Sequence, residues 1–469
     1  MPALGVLYLA SVLEKEGIPV KVVPADVLGL SWEAIEEEIA AYKPDVIGVT
    51  TLTENRFQSF ELVKRAKGVL PEALVCIGGP HGTNSADDCL RHIPELDLVV
   101  RGEGEETILE LMACLAHKGD LERIRGISYR KDGQILHNPN RPLIRNLDRI
   151  PMPARHVVPW ERYRFTVQVP GKGDLPAANL MTSRGCPFSC NFCATPGNWG
   201  RHVRMISPER VLREIEHVMD RYGARVIWFY DDTFNASPKR VDRICDLILE
   251  RGLNINWLCE ARVDLLEKPL LEKMVRAGLF YLLFGVESGS ERIRREVVTK
   301  KFDLEKARKT VDWCNELGIM ANAFFIFSHP TETWEDAQET IRIIEEFRDK
   351  ARINIGIMHV YPGTQLESTA RINGCLPEDF SWSVPDRRVV TLPIAQGDVP
   401  LFMDKLTWAQ ISELLFRWSF AADTKYNRVL RILPQVIRDI RSWEGFKRYM
   451  IMFAVYVKLR IFRLLRVKD

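Results

Sequence analysis

Apolar positions recur every three or four residues from Leu4 to Lys15 and stop at Gly17, the stripe of a helix with one buried face. Short β-branched runs bounded by turn residues mark strands, and helical stretches lie between them. By these rules residues 20–23 predict a strand, 32–42 a helix ended before Pro44, and 46–50 and 74–77 strands on either side of a helix over 57–70. A strand over 98–100, a Gly-containing turn and a helix over 106–116 complete the segment. This alternation predicts an α/β, doubly wound (Rossmann or flavodoxin-like) domain over residues 1–118, its parallel sheet covered by helices on both faces. Residues 119–175 read as a linker with a β-hairpin: 127–129 and 135–136 flank Asp132-Gly133, and Pro139, Pro142, Pro151, Pro153 and Pro159 favour an extended path.

The alternation resumes over residues 176–366 with longer helices. Strands are expected at 178–182, 226–230, 255–258, 281–286, 322–327 and 353–360, and helices at 208–222, 238–251, 268–277, 304–317 and 333–347. Six βα units predict a partial (β/α)6 barrel, smaller than the eight-unit form, with its chemistry at the C-terminal strand ends. Residues 367–469 read as a helical C-terminal region with a loop around 385–400.

Composition narrows the class. Of 469 residues, 46% are hydrophobic and 27% charged, enough for a packed core and against disorder. A net charge of +2 excludes a generally basic nucleic-acid coat. Ten cysteines are too sparse for a disulfide scaffold, no apolar run reaches the ~18 residues of a membrane span, and the opening Met1-Pro2-Ala3-Leu4-Gly5 has no basic secretory leader. A reducing, cytoplasmic setting is the expectation. The balance is uneven, however: residues 424–469 carry +9 and the rest −7. The apolar run 449–457 between basic flanks can lie at a membrane interface, giving a peripheral contact at the inner membrane surface, or can pack on the barrel with a solvated basic face. No nucleic-acid module accompanies the charge.

The chemistry is concentrated in residues 184–193, Arg-Gly-Cys-Pro-Phe-Ser-Cys-Asn-Phe-Cys. Cys186, Cys190 and Cys193, spaced C-x3-C-x2-C just after the first barrel strand, are three soft donors in one loop. A closed zinc site needs a fourth ligand, for which His202 is the available candidate. Three thiolates on a four-iron cluster leave one iron open to a chelating small molecule.

The triplet, Phe192 before its last cysteine, and six βα units downstream resemble the radical S-adenosylmethionine (SAM) superfamily. That resemblance implies a 4Fe–4S cluster on Cys186, Cys190 and Cys193, and SAM contacts from Phe192 and the strand-end segments. These are Asp231 and Asp232 toward the SAM amino group, Arg262 toward its carboxylate, Glu287 and Ser288 in Phe-Gly-Val-Glu-Ser-Gly, Ser328, and Tyr361 and Pro362 near adenine. From the residues alone, Asp231 and Asp232 read equally as helix caps, whereas Glu287, ending an apolar strand, needs a partner. The fifth strand departs from the family's Gly-x-Pro-Gly-Glu-Thr: it has Ser328-His329-Pro330-Thr331-Glu332-Thr333, which puts His329 at the pocket rim, most simply as a hydrogen-bonded loop residue.

Residues 1–118 resemble the cobalamin-binding domain that precedes the barrel in one branch of that superfamily. The matching segments are residues 2–10, Gly78-Gly79-Pro80-His81, and Val99 to Glu105, Val-Val-Arg-Gly-Glu-Gly-Glu. Loops leaving the strand ends converge on one sheet edge, and glycines admit a large planar ligand. The resemblance implies cobalamin contacts from Thr51, Leu52, Thr53, Gly79, Pro80, His81, Gly102, Glu103 and Gly104. No Asp-x-His-x-x-Gly motif is present, so no histidine of that kind ligates cobalt, and the family's opening strand is expected to be missing. Cys76, Cys89 and Cys114, and likewise Cys245, Cys259, Cys314 and Cys375, lack cluster spacing, which argues against the methylthiotransferase relatives.

Together the resemblances imply reductive cleavage of SAM to a 5′-deoxyadenosyl radical, fed by an external one-electron reductant. They point to a cobalamin-dependent C-methyltransferase acting on an unactivated carbon of a secondary metabolite, a lipid-like molecule or a tetrapyrrole. Two alternatives stand beside it, a cobalamin-dependent cyclase or rearrangement enzyme without net methylation, and a non-catalytic metal- or cobalamin-binding sensor.

Overall fold

The computed structural model describes residues 1–391 and 398–415, with residues 446, 447, 450, 451, 453, 454 and 457 beyond them. The basic segment 424–469 falls almost wholly outside the described residues. Within them, no helix is long and apolar enough to cross a membrane.

The N-terminal sheet runs in the order β1 (Val46–Thr50), β2 (Leu74–Gly78), β3 (Leu98–Val100), β4 (Ile127–Lys131), β5 (Gln134–His137). Its first three strands are parallel and the hairpin strands antiparallel, so the hairpin of the linker segment extends this sheet. The period of two sorts its side chains: Val75, Ile77 and Val99 enter one apolar layer, and Cys76, Leu98 and Val100 enter the layer on the opposite face. Residues 20–23 form no strand. Pro19 and Pro24 bracket them, fix φ and remove donors, and Val23 is left 38% exposed. The opening helix Leu4–Lys15 turns Leu4, Tyr8 and Val12 into the core of the second domain, tying the two together from the first turn.

The second sheet has the order β14-β13-β12-β11-β10-β7-β6. The parallel strands are β7 (Gly173–Leu180), β10 (Val226–Phe229), β11 (Asn256–Glu260), β12 (Leu279–Glu287), β13 (Met320–Phe327) and β14 (Arg352–Ile357); β6 (Thr166–Val169) adds antiparallel to β7. A two-stranded ribbon, β8 (Ser183–Arg184) with β9 (Arg204–Met205), brackets the cysteine loop. The outer helices fall where the periodicity predicts. Pro208–Tyr222, for example, starts with Pro at N1 behind a Ser207 cap and stops at left-handed Gly223. Ile227, Phe229, Trp257, Leu282, Phe284, Phe325 and Phe327 fill the layer between the sheet and these helices. All six parallel strands therefore deliver their C-terminal loops to one edge. Beyond β14, residues 358–402 pack Met358, Val360, Phe380, Trp382 and Phe402 into a separate apolar layer around the helix Gln365–Ile372, and a further helix follows at Trp408–Leu414.

Candidate active site

The cysteine loop is held from several sides. Both oxygens of Asp231, buried at the end of β10, accept hydrogen bonds from the Thr182 amide and hydroxyl at 3.0–3.2 Å, and the Ser183 hydroxyl also donates to it. Burial raises its pKa against the pull of Arg240. Asp231 thus anchors the chain entering the loop, and Asp232, exposed beside it, accepts from the Thr195 hydroxyl at 2.9 Å. Downstream, the Thr299 hydroxyl donates to Ser189 O (2.9 Å) and the Leu366 amide to Asn191 O (3.0 Å). Cys186, Cys190 and Cys193 are half-buried in this loop, with Cys186 Sγ 3.5 Å from the Thr233 hydroxyl. The three sulfurs are not drawn into a cage: among the described residues no three His, Cys, Asp or Glu side chains stand close enough to hold a metal ion. His202 is accordingly not gathered to the thiols. Burial pushes the Cys190 thiol up to about 11, Lys300 and Arg262 pulling the other way, so metal binding must release thiol protons. Three soft donors in one loop, neighboured by cations, fit an iron–sulfur cluster.

Around the loop the strand ends supply opposite charges. Glu287, with φ of +69° and 6% exposure, is paired with Lys300 Nζ at 2.6 Å, which also donates to Gly285 O at 2.8 Å. This is the partner an isolated carboxylate on an apolar strand requires. Gly285 is necessary for the pair, because a Cβ there would collide with the Glu287 carboxylate. Glu260, at the end of β11, is raised by partial desolvation and then by Asp232 and Glu287. Arg262 lies over the Phe188 ring at 3.4 Å and grips Asp264 with two hydrogen bonds of 3.0 and 2.8 Å. Asp232, Glu260, Glu287, Arg262 and Lys300 thus bring both signs of charge near the cysteine loop, as a zwitterion with an ammonium and a carboxylate requires. Lys300 and Glu260 escaped sequence reasoning; Lys300 sits in a polar turn that no periodicity singles out.

The remaining expected contacts divide. Ser288 is fully buried, its hydroxyl 3.0 Å from that of Thr340 and accepting from the Ser290 amide; Ser328 donates to Phe402 O at 2.6 Å. Both hold the scaffold. Phe192 lies against the C-terminal apolar layer, 6.4 Å from His329. His329 lies deeper than a rim residue: it is 1% exposed, and neither ring nitrogen has a partner in hydrogen-bonding geometry among the described residues. Burial lowers its pKa to about 4, the Ile326 and Glu287 backbones opposing. Three residues on, fully buried Glu332 is raised to about 8 by burial. Tyr361 donates from its hydroxyl to Glu54 at 2.8 Å, and Pro362 is buried behind it.

Glu54 belongs to the N-terminal domain, whose ligand edge meets the barrel edge. Gly79 (φ +95°) lies so close to Thr51 that a Cβ would stand 2.9 Å from its carbonyl, and Pro80 opens the helix Pro80–Asn84. Leu52 stands 46% exposed at the mouth, while Thr51 and Thr53 are buried below it. Gly102 (φ +72°) donates its amide to the Thr83 hydroxyl at 3.0 Å, and Gly104 packs on Leu9. An exposed apolar tip between closely turned glycine loops fits a broad planar ligand. Asn84 inserts between Gly197 and Gly363 and hydrogen-bonds Asn198 at 3.0 Å. Two of the expected contacts are engaged within the protein. His81 is fully buried among Phe60, Trp382 and the Thr53 hydroxyl, and burial lowers its pKa to about 3; it packs the core. The carboxylate of Glu103 is bound on both oxygens by Arg184, Arg204 and the Ile144 amide, so it serves the domain joint.

Comparison with known proteins decides the family. Residues 180–344 match the radical SAM superfamily and residues 1–112 the B12 binding domain. An uncharacterized methyltransferase of Pyrococcus horikoshii is 33% identical over 446 residues, 95% of this chain and 91% of its own. The chain belongs to the cobalamin-binding branch of the radical SAM superfamily. It is also similar to an anaerobic magnesium-protoporphyrin IX monomethyl ester cyclase of Rubrivivax gelatinosus, at 30% identity over 74% of this chain and 62% of that protein's length. The radical SAM methyltransferase TsrM of Kitasatospora setae, solved with cobalamin and a [4Fe-4S] cluster, shares the fold at a TM-score of 0.67 and 17% identity, covering 86% of this chain and 81% of its own. This radical SAM protein is an enzyme whose cofactors are a 4Fe–4S cluster, SAM and cobalamin.

Proposed function

We propose that this enzyme methylates an unactivated carbon of a small apolar metabolite, a lipid-like or tetrapyrrole substrate. The observation that carries the reading is the face-to-face joining of the two ligand edges through Glu54–Tyr361, Asn84 against Gly197 and Gly363, and Glu103 and Glu105 with Arg184. Methyl transfer needs a methyl source and a radical source on the same substrate carbon, and such a joint supports that arrangement. The cofactors, when bound, supply hydrogen abstraction and a transferable methyl group.

The chain's own residues bind, orient and exclude water. Cys186, Cys190 and Cys193 hold the cluster. Arg262 and Lys300 neutralise a carboxylate and Asp232, Glu260 and Glu287 an ammonium, with Phe192, Tyr361 and Pro362 shaping the apolar side. Asp231, Ser288 and Ser328 keep the strand ends in place. Leu52, Thr51, Thr53, Gly79, Pro80, Gly102 and Gly104 form the floor for cobalamin. An external one-electron donor supplies the reductant, and the basic segment 424–469, +9 overall, supports peripheral contact with an anionic membrane surface.

The cyclase relative favours a second reading, ring closure without methylation. Product mass separates the two. Metabolites that accumulate when the gene is removed should lack one methylene unit relative to the product. A substrate–product pair differing only by hydrogen or oxygen would refute methyl transfer.

A further inference from the structure

Four buried charges close the joint between the domains. Arg184 donates one nitrogen to Glu103 Oε1 at 2.8 Å and another to Glu105 Oε1 at 2.5 Å. Arg204 donates to both oxygens of Glu103 at 2.7 and 2.8 Å and to Ile144 O at 2.9 Å. The four side chains are 2–9% exposed, and the Arg184 guanidinium is flanked by Tyr8 at 5.3 Å and Trp199 at 5.0 Å. A buried ionic cluster gains little stability over well-packed apolar side chains. What it supplies is direction, since fork-shaped guanidinium bonds fix the angle as well as the distance.

Its position gives that direction a use. On the barrel side Arg184 lies two residues before Cys186, and the intervening Gly185 (φ +92°) is wedged so tightly that a Cβ would stand 2.6 Å from His202 O. Thr182 and Ser183, just upstream, are clamped by Asp231. A shift of the Arg184 guanidinium therefore reaches Cys186 with little slack to absorb it. On the other side Glu103 ends the loop leaving β3 and Glu105 opens the helix Glu105–Ala116 on either side of Gly104, and Gly102 of that loop is tied through Thr83 to the helix that carries Asn84.

We infer that Glu103, Glu105, Arg184 and Arg204 are positioning residues that couple the cobalamin edge to the cysteine loop, so that a corrin on the first stiffens the second. The inference rests on the reading of that edge as a cobalamin site. Coupling between two sites is reciprocal: whatever factor cobalamin lends to the affinity of the cysteine loop for its cluster, a filled loop lends to the affinity for cobalamin.

The test is hydrogen–deuterium exchange of peptides covering residues 181–194 in the anaerobically prepared full chain, with and without hydroxocobalamin. Corrin retention is read separately from the visible spectrum of the gel-filtered protein. In the wild type, hydroxocobalamin should slow exchange in these peptides by about tenfold, within the usual range of coupling between sites. Glu103→Gln should retain the corrin and the far-ultraviolet circular dichroism of the wild type, yet lose most of that slowing. Glu105→Gln, which leaves Arg204 on Glu103, should lose part of it and serves if Glu103→Gln fails to fold. Equal slowing in wild type and both variants would overturn the coupling, as would a wild type that holds the corrin without any slowing. A wild type that retains no corrin would overturn the cobalamin reading and the coupling with it.

Discussion

Glu332 offers a test of the barrel edge that needs no cofactor. The carboxyl is fully buried in the turn after β13, where Oε2 accepts the His329 amide at 2.9 Å and Oε1 has no partner among the described residues. Burial, opposed by the His329 and Ser328 amides, lifts its pKa to about 8 from an ordinary 4.5. A group raised in the folded state stabilises the fold fully below its unfolded pKa and loses that contribution as pH rises through its folded pKa. Between those limits the folded chain holds one proton more than the unfolded chain, which costs about 1.4 kcal/mol of stability per pH unit. From pH 6 to pH 8 the loss from this one group is about 2 kcal/mol, the slope flattening near the upper end. Glu332→Gln keeps an acceptor for the His329 amide and cannot titrate. Anaerobic denaturant unfolding at pH 6, 7 and 8 should therefore show the variant gaining about 2 kcal/mol on the wild type across that range. His329, held neutral by the same burial, contributes equally to both proteins and cancels in the difference. A variant-minus-wild-type difference that stays constant with pH would refute the argument.

Breaking the buried Glu287–Lys300 pair by Lys300→Met should cost about 3–5 kcal/mol, because it strands a carboxylate, and adding Glu287→Gln should recover most of the loss. Denaturant midpoints of the two single variants and the double variant check this, and additive losses would contradict it. Gly197→Ala should force Asn84 from its slot and speed proteolysis between the domains, and Asn84→Ala should suppress the effect. A Gly197→Ala variant as protease-resistant as the wild type would count against the joint. Deleting residues 424–469 should weaken sedimentation with anionic liposomes, each basic residue near such a surface contributing about 1 kcal/mol; unchanged sedimentation removes the membrane contact.

Local pattern carried much of the architecture. Strands 46–50 and 98–100 and the helix 208–222 lie where apolar spacing and caps predict, because each is specified by residues within one element. Residues 20–23 misled because Val-Lys-Val-Val has strand composition, while the prolines on either side fix φ and lack the N–H that would extend a ladder. The triplet of cysteines was legible for the same local reason. What spacing could not reveal was which polar residue meets which across the chain. Arg184 and Glu103 are 81 positions apart, and neither segment names the other. Asp231 and Glu103 were ligand contacts only as the family resemblance implied, and their partners across the chain, Thr182 and Ser183 for the one and Arg184 and Arg204 for the other, are named by neither segment. Glu287 was legible as a carboxylate in need of a cation, yet Lys300, thirteen residues on, was not.

The most direct test is of the cluster itself. Anaerobically purified protein should carry iron and sulfide near four of each per chain, as a cuboidal cluster held by three cysteines requires. On reduction it should give a paramagnetic resonance signal that SAM perturbs and that Cys190→Ala abolishes. Zinc in place of iron, with no signal after reduction, would contradict the account at its root.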